Sequence, residues 1–264
     1  MRDQGSSSTQ NQGTMDNDQV MPEGNPQQES GDSSENRAVL VSSKDLLLGH
    51  FNPQQDTAFE VIPVAFTSLK AAYLQKEVIK AFGRMHAEAK KAGFQLNIIS
   101  ATRNFNDQKR IWENKWNGNT LVNQKNLKLT LPDPVNRAKE ILKYSSMPGT
   151  SRHHWGTDMD LNNLSPAWWE QPEGQKLYEW LSKNGPVFGF HQPYSKKSGA
   201  NENTGRKTGY EEEKWHWSYS PISVPLLKTY IETITYDDIK GFEGFETAKE
   251  LRMIENYVKG VASR

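Results

Sequence analysis

The sequence predicts an α+β fold, a single domain with a small antiparallel sheet flanked by helices, behind a disordered polar N-terminal tail. Three observations carry this expectation. Apolar residues recur at helical spacing in several segments between residues 72 and 185. Short runs such as FQLNIIS (94–100) and KWHWSYS (214–220) have the apolar or alternating character of strands. Residues 1–36 contain no aromatic side chain at all. No internal repeat of 20–50 residues interrupts the pattern, so a solenoid or propeller is not expected.

The tail is rich in Ser, Gln, Asn, Gly and acidic residues and cannot bury enough apolar surface to offset its chain entropy. Residues 1–36 are therefore read as a linker and residues 37–264 as the domain, with its functional core at about 94–220. A leash of this kind is consistent with a chain trimmed of an export signal or anchor. Within the domain, residues 72–91 place Leu74, Val78, Phe82, Met85 and Ala89 on one helical face, and Gly93 is a natural stop. FQLNIIS follows as a buried strand. A second helix is expected over residues 107–115, with Ile111 and Trp112 turned inward. Asp133 and Pro134 are a cap and first turn for a helix running to about Tyr144, and Pro148 with Gly149 ends that region. GQKLYEWLSKNG (174–185) is a further helix with Leu177, Trp180 and Leu181 on one side. In KWHWSYS the aromatics Trp215, Trp217 and Tyr219 are expected to pack in the core.

Composition excludes several functions. The chain has 32 basic and 32 acidic residues, so its net charge gives no reason to expect a nucleic-acid or membrane-surface partner. Absence of cysteine rules out disulfides, thiolate metal sites and a cysteine nucleophile. No apolar run is long enough for a transmembrane helix, and no apolar signal sequence opens the chain.

The chemistry concentrates in SRHHWGTDMDLNN (151–163), which holds two of the six histidines and two carboxylates. Alone it reads as a polar loop. A metal-dependent hydrolase needs three protein ligands, an open position and a nearby base. His153 (or its neighbour His154) and Asp160 can supply a nitrogen and an oxygen, and EEKWHW adds His216 with Glu213 three residues before it. The pairing of Glu213 with His216 brings a base within reach of the same centre. Arg103, at the end of NIISATR, is placed to steady a developing oxyanion.

These residues carry a family pattern. The chain resembles the zinc D-alanyl-D-alanine carboxypeptidases of the VanY type, which share a fold with hedgehog and lysostaphin-like peptidoglycan hydrolases. The pattern S-x-H-x-x-G-x-A-x-D lies on Ser151, His153, Gly156 and Asp160; E-x-W-H lies on Glu213, Trp215 and His216; R-[ST]-x-x-x-Q lies on Arg103 and Gln108. The resemblance implies that His153, Asp160 and His216 bind Zn2+, that Glu213 is the base and that Arg103 holds the carbonyl oxygen. It also implies that Ser151 and Gln108 line the substrate pocket, and Trp215 is expected to touch the site. Family spacing favours His153 over His154, which then becomes a hydrogen-bonded or pocket-wall histidine. Two positions depart from the pattern: Asp158 stands where the family has alanine, and Asn104 where it has a small hydroxyl residue. Asp158 is expected either to orient a ligand imidazole or to bond to the turn backbone.

The resemblance implies an exported, periplasmic or envelope-associated monomer, anchored through a missing N-terminal signal, that removes the terminal D-alanine of peptidoglycan stem peptides. Relatives in the family also act as D,D-dipeptidases or L-alanyl-D-glutamate endopeptidases. The segment of residues 115–140 between the first two motifs is expected to set that choice. A non-catalytic zinc-stabilised wall-binding module is the competing class, but a structural metal would have four ligands and no use for Glu213 or Arg103. Away from the site, His50, His86 and His191 lack ligand-like company, and Trp168 and Trp169 are read as packing or a cleft rim. Lys196, Lys197, Arg206 and Lys207 are read as a solvated basic loop.

Overall fold

The computed structural model describes residues 44–199 and 205–262. The expected linker, residues 1–36, lies outside the described residues. In chain order the elements are α1 (Lys44–Leu48), β1 (Phe59–Val61), β2 (Tyr73–Gln75), α2 (Lys76–Lys91), β3 (Ile98–Ser100), α3 (Phe105–Trp116), α4 (Leu127–Thr130) and α5 (Pro134–Ile141). They continue with β4 (Asp158–Leu161), α6 (Pro166–Trp169), α7 (Pro172–Asn184), β5 (Phe190–His191), β6 (His216–Tyr219), α8 (Ser220–Thr233) and α9 (Thr247–Glu250). Among the described residues no helix is long and apolar enough to cross a membrane.

Four short strands form the central sheet in the order β3-β4-β6-β5, every neighbouring pair antiparallel. β1 and β2 form a separate two-stranded antiparallel pair. The fold class is thus the expected one, with small antiparallel sheets among helices.

Alternation explains how the central sheet both packs and carries chemistry. On β4, Met159 and Leu161 point to one face while Asp158 and Asp160 point to the other; on β6, Trp217 and Tyr219 oppose His216 and Ser218. The apolar set joins Val78, Phe82, Met85 and Ala89 of α2 and Leu177 and Leu181 of α7 in one core. A second core gathers Leu46 to Leu48, Trp112, Trp116, Ile141, Leu226 and Tyr230 from α1, α3, α5 and α8. The polar face of the sheet looks into a cleft bounded by α3 and the segment after α5.

Several elements differ from their sequence-based expectation. The stripe from Leu74 to Ala89 is buried throughout, but residues 73–75 are a strand, paired Phe59 to Gln75 and Val61 to Tyr73, and the helix starts at Lys76. Leu74 satisfies both patterns, so its burial did not discriminate between them. Gly93 stops the helix at φ +85°, where an L side chain is disfavoured. Helix α3 is longer than expected because Asn104 caps it, its side chain accepting from the Asp107 amide at 2.9 Å. The departure at Asn104 therefore keeps capping chemistry, since Asn and small hydroxyl residues cap alike. Asp133 caps α5 as expected, but that helix ends at Ile141 rather than near Tyr144. Helix α8, with Pro225 inside it, was not anticipated at all.

The basic loop needs a larger correction. Arg206 is buried, donating through Nε to the Ser195 carbonyl at 2.9 Å and through Nη1 to the Thr208 and Tyr210 carbonyls. A guanidinium has five donors in a fixed fork, so one arginine can close a loop that offers several unpaired carbonyls. Lys197 is tied to Glu211 at 3.0 Å.

Candidate metal centre

Residues 152–155 wind into a short 3-10 turn, which Gly156 ends at φ +67° before β4 begins. A side chain at 156 would be strained by that backbone, and its Cβ would run into the Phe59 ring. This tight reversal returns the chain so that His153, on the turn, meets Asp160, on the strand. His153 Nε2 lies 3.4 Å from Asp160 Oδ2. The third member arrives by strand pairing, because Asp160 and His216 are direct cross-strand partners and His216 Nδ1 lies 3.2 Å from Asp160 Oδ1. The two imidazoles meet edge to face with centroids 4.8 Å apart. Candidate ligand atoms of His153, Asp160 and His216 all lie within 4.8 Å of one another, and all three residues are buried.

Hydrogen bonds fix which ring nitrogen faces the centre. His153 Nδ1 is 2.8 Å from the Ala101 carbonyl, so Nδ1–H donates there and Nε2 is bare. His216 Nε2 is 2.9 Å from Asp158 Oδ1, so Nε2–H donates outward and Nδ1 is left for the centre. Asp160 Oδ1 is buried and makes no hydrogen bond, an acceptor that a cation would satisfy. Two bare nitrogens and an under-satisfied carboxylate oxygen fit a metal ion.

Of the doublet, His153 is the one that faces Asp160 and His216. His154 turns the other way, donating from Nδ1 to the Arg103 carbonyl at 2.6 Å and accepting the Gly149 amide at Nε2 at 3.0 Å. Burial lowers its pKa to about 3, against the opposing pull of the Arg103 carbonyl, so the ring is neutral.

Asp158 answers the question its presence raised: it bonds side chains, and one of them is a ligand candidate. Besides His216 it accepts from Arg152 Nε at 2.9 Å, Thr157 Oγ1 at 2.6 Å and Ser218 Oγ at 3.0 Å. Burial alone would raise its pKa, but Arg152 and the His216 bond hold it far below the ordinary carboxylate range. Arg152 is itself buried, reaches Ser218 Oγ at 2.7 Å, and stacks over the Trp155 ring. Nothing in the sequence pattern flagged Arg152, because only folding brings residues 152, 158 and 218 together.

Glu213 completes the group. The backbone closes a turn, His216 N–H donating to the Glu213 carbonyl at 3.2 Å, which sets Glu213 Oε2 3.4 Å from His216 Nδ1. Burial raises the Glu213 pKa, partly offset by the His216 imidazole. Burial would lower that of His216, but the surrounding carboxylates of Asp158, Asp160 and Glu213 outweigh burial and raise it well above the usual histidine value. Asp160 goes down despite its burial, held there by His153 and His216.

Arg103 is fixed rather than free. Nη1 donates to Ser100 Oγ at 2.6 Å, Nε to Gln108 Oε1 at 3.0 Å, and Nη1 lies 3.8 Å from Asp160 Oδ2. Gln108 is held in turn by its bond to the Ser146 carbonyl at 2.8 Å. Arg103, Gln108, His153, Asp160, Glu213, Trp215 and His216 line one cleft of about 470 Å³. Ser151 does not: it is buried at the start of the turn, its Oγ without a hydrogen bond, and it is absent from the cleft wall. The cleft also contains residues that sequence reasoning passed over, notably Lys115, Tyr194 and Tyr210. Lys115 shares one face of α3 with Gln108 and Ile111, at i, i+3 and i+7.

The family model described as VanY, D-alanyl-D-alanine carboxypeptidase, matches residues 71–222. A Bacillus subtilis (strain 168) protein, "Putative carboxypeptidase YodJ", is 28% identical over 224 residues, covering 82% of this chain and 70% of that protein. The solved structure of VanYB in complex with D-alanine-D-alanine is 20% identical, with a TM-score of 0.47 over 70% of this chain and 88% of its own. A mutant vancomycin-resistance D,D-pentapeptidase VanY in complex with Zn(II) is 19% identical, with a TM-score of 0.45 over 75% and 92% of the two chains.

Proposed function

The chain belongs to the VanY family of D-alanyl-D-alanine carboxypeptidases, and on that premise we propose that it is a zinc-dependent peptidase that hydrolyses the terminal D-Ala-D-Ala bond of peptidoglycan stem peptides. One observation carries the reading furthest: three ligand-type atoms converge in a cleft that also holds a buried carboxylate, Glu213, and a fixed guanidinium, Arg103. A purely structural metal has no use for either.

His153 Nε2, Asp160 and His216 Nδ1 would hold the ion, a two-nitrogen, one-oxygen set that suits zinc with a position left open. Zinc bound there supplies a Lewis acid that makes water nucleophilic near neutral pH. Glu213 takes the proton from the attacking water and returns it to the departing amine of D-alanine; its raised pKa suits both directions. Arg103, locked by Ser100 and Gln108, offers a positive charge where the carbonyl oxygen becomes anionic. Asp158 keeps the His216 ring turned so that Nδ1 faces inward. A substrate of this kind lies outside the cytoplasm, so the reading includes export.

The test is mass spectrometry of a muramyl pentapeptide incubated with zinc-loaded protein, beside Glu213→Gln. Loss of one alanine mass is expected, with turnover reduced about 100- to 10 000-fold in Glu213→Gln at unchanged metal content. A near-normal rate in that variant removes Glu213 from the mechanism. Fragments cut between L-alanine and D-glutamate would make the protein an endopeptidase, and intact peptide and intact peptidoglycan would favour a binding module.

A further inference from the structure

The cleft carries a positive charge that the hydrolytic machinery does not use. Lys115 sits on the cleft face of α3, two turns beyond Gln108, and is half-buried. Its ammonium makes one hydrogen bond, to Ser145 Oγ at 2.5 Å, and among the described residues no carboxylate forms an ion pair with it. An ammonium has three donors, so two remain for something else. The charges that reach it are Arg103, which repels it, and Glu213, which attracts it. Burial and the Arg103 charge lower its pKa, as expected for a cation short of a counter-charge. Tyr210 lines the same cleft, its buried hydroxyl near Ser146 and Thr150.

We propose that Lys115, with the Ser145 and Tyr210 hydroxyls, forms a carboxylate subsite that takes the free C-terminal carboxylate of the peptide, so that the cleft selects chain ends over chain interiors. The identity of the peptide rests on the proposed function; the subsite itself does not. Two unused ammonium donors in a cleft wall that also carries hydroxyls are what an anion with several lone pairs satisfies, and such charge-assisted bonds are the strong ones. A peptide continuing past the scissile bond would present a neutral amide there and leave the ammonium without its counter-charge. The subsite therefore distinguishes removal of a terminal residue from an internal cut.

The experiment compares a D-Ala-D-Ala-terminated pentapeptide acid with its C-terminal amide, using the zinc-loaded full chain, Lys115→Met and Lys115→Arg. Lys115→Met is expected to lower kcat/KM on the acid about 30-fold, mostly through KM, while changing the amide far less; Lys115→Arg keeps most of the preference. Equal losses on acid and amide, or no loss, overturn the proposal. So does a preference that follows a D-Glu to D-Gln change within the peptide, which would mean that a side-chain carboxylate is the anion recognised. If the protein cleaves neither peptide, calorimetry with zinc-loaded Glu213→Gln decides separately. Tighter binding of D-alanyl-D-alanine than of its amide, abolished by adding Lys115→Met, supports the subsite without the hydrolysis; equal binding refutes it.

Discussion

Asp158 offers the sharpest separation between holding the fold together and holding the metal. It is fully buried and accepts four hydrogen bonds, from Arg152, Thr157, Ser218 and His216. Asp158→Ala should do two distinct things. It leaves the Arg152 guanidinium buried with only Ser218 Oγ and the Trp155 face for company. Breaking a buried pair from one side costs about 3–5 kcal/mol. At about 2–4 °C per kcal/mol for a domain of this size, the melting temperature should fall by roughly 6–20 °C. It also releases the His216 ring from the bond that turns Nδ1 inward, and loss of such a partner lowers metal affinity about 10- to 100-fold. The two effects part in the double variant Arg152→Met, Asp158→Ala. Removing both charges should restore most of the stability, yet His216 remains unanchored and the affinity should stay low. Stability is read by urea unfolding of the chelator-treated protein, so that metal binding does not contribute, and affinity by competition with a zinc indicator. Affinity that recovers along with stability would refute the orienting role of Asp158 and reduce it to a packing contact.

His154 links stability to pH. Its pKa is about 3 in the fold and 6.5 when unperturbed, so as pH falls the unfolded chain takes up the proton first. The stability from the neutral ring is complete above pH 6.5 and is lost at about 1.4 kcal/mol per pH unit between 6.5 and 3. His154→Gln should show a shallower decline in urea-unfolding free energy between pH 7 and 4; parallel curves would mean that His154 protonates in the fold without penalty. Gly156→Ala should lose about 2–4 kcal/mol, from positive φ and from collision with Phe59. Adding Phe59→Ala relieves only the collision, so a cavity-corrected double-variant cycle that shows no coupling would count against that contact.

The site was legible because its parts are close in sequence within each segment. His153 and Asp160 are joined by one turn, and Glu213 and His216 by another, so spacing alone encodes most of the geometry. What joins the two segments is strand register, Asp160 opposite His216, which period-2 alternation in residues 158–161 and 216–219 foreshadows without fixing. Arg152 escaped because its partners lie 6 and 66 residues away, and nothing local marks it as buried. Lys115 escaped for a different reason: a lone lysine on an amphipathic helix reads as solvent-facing until the segment after α5 is seen to close over it. Residues 73–75 show the limit of periodicity, since three residues cannot distinguish a strand from the first turn of a helix. Arg206 shows the limit of composition. A basic, glycine-rich loop looks solvated, but its inward-facing carbonyls demand a donor, and the sequence does not say which way carbonyls point.

Alternation also explains how the fold carries two adjacent inward aspartates. Asp158 and Asp160 share a face of β4, and two buried carboxylates that close repel each other unless each is balanced. Arg152 balances Asp158 from behind the sheet's polar face, and the hydroxyls of Thr157 and Ser218 complete its shell. Asp160 has a looser ion pair: Arg103 lies 3.8 Å away, its hydrogen bonds going to Ser100 and Gln108. His216 lies among Asp158, Asp160 and Glu213, and these three carboxylates raise its pKa against burial, the sign of a pocket with more negative than positive charge. The arrangement is thus complete on the Asp158 side and one cation short on the Asp160 side. That asymmetry, an arginine hydrogen-bonded to Asp158 and another only 3.8 Å from Asp160, supports the proposal that Asp160 is the metal ligand and that Asp158 steers His216.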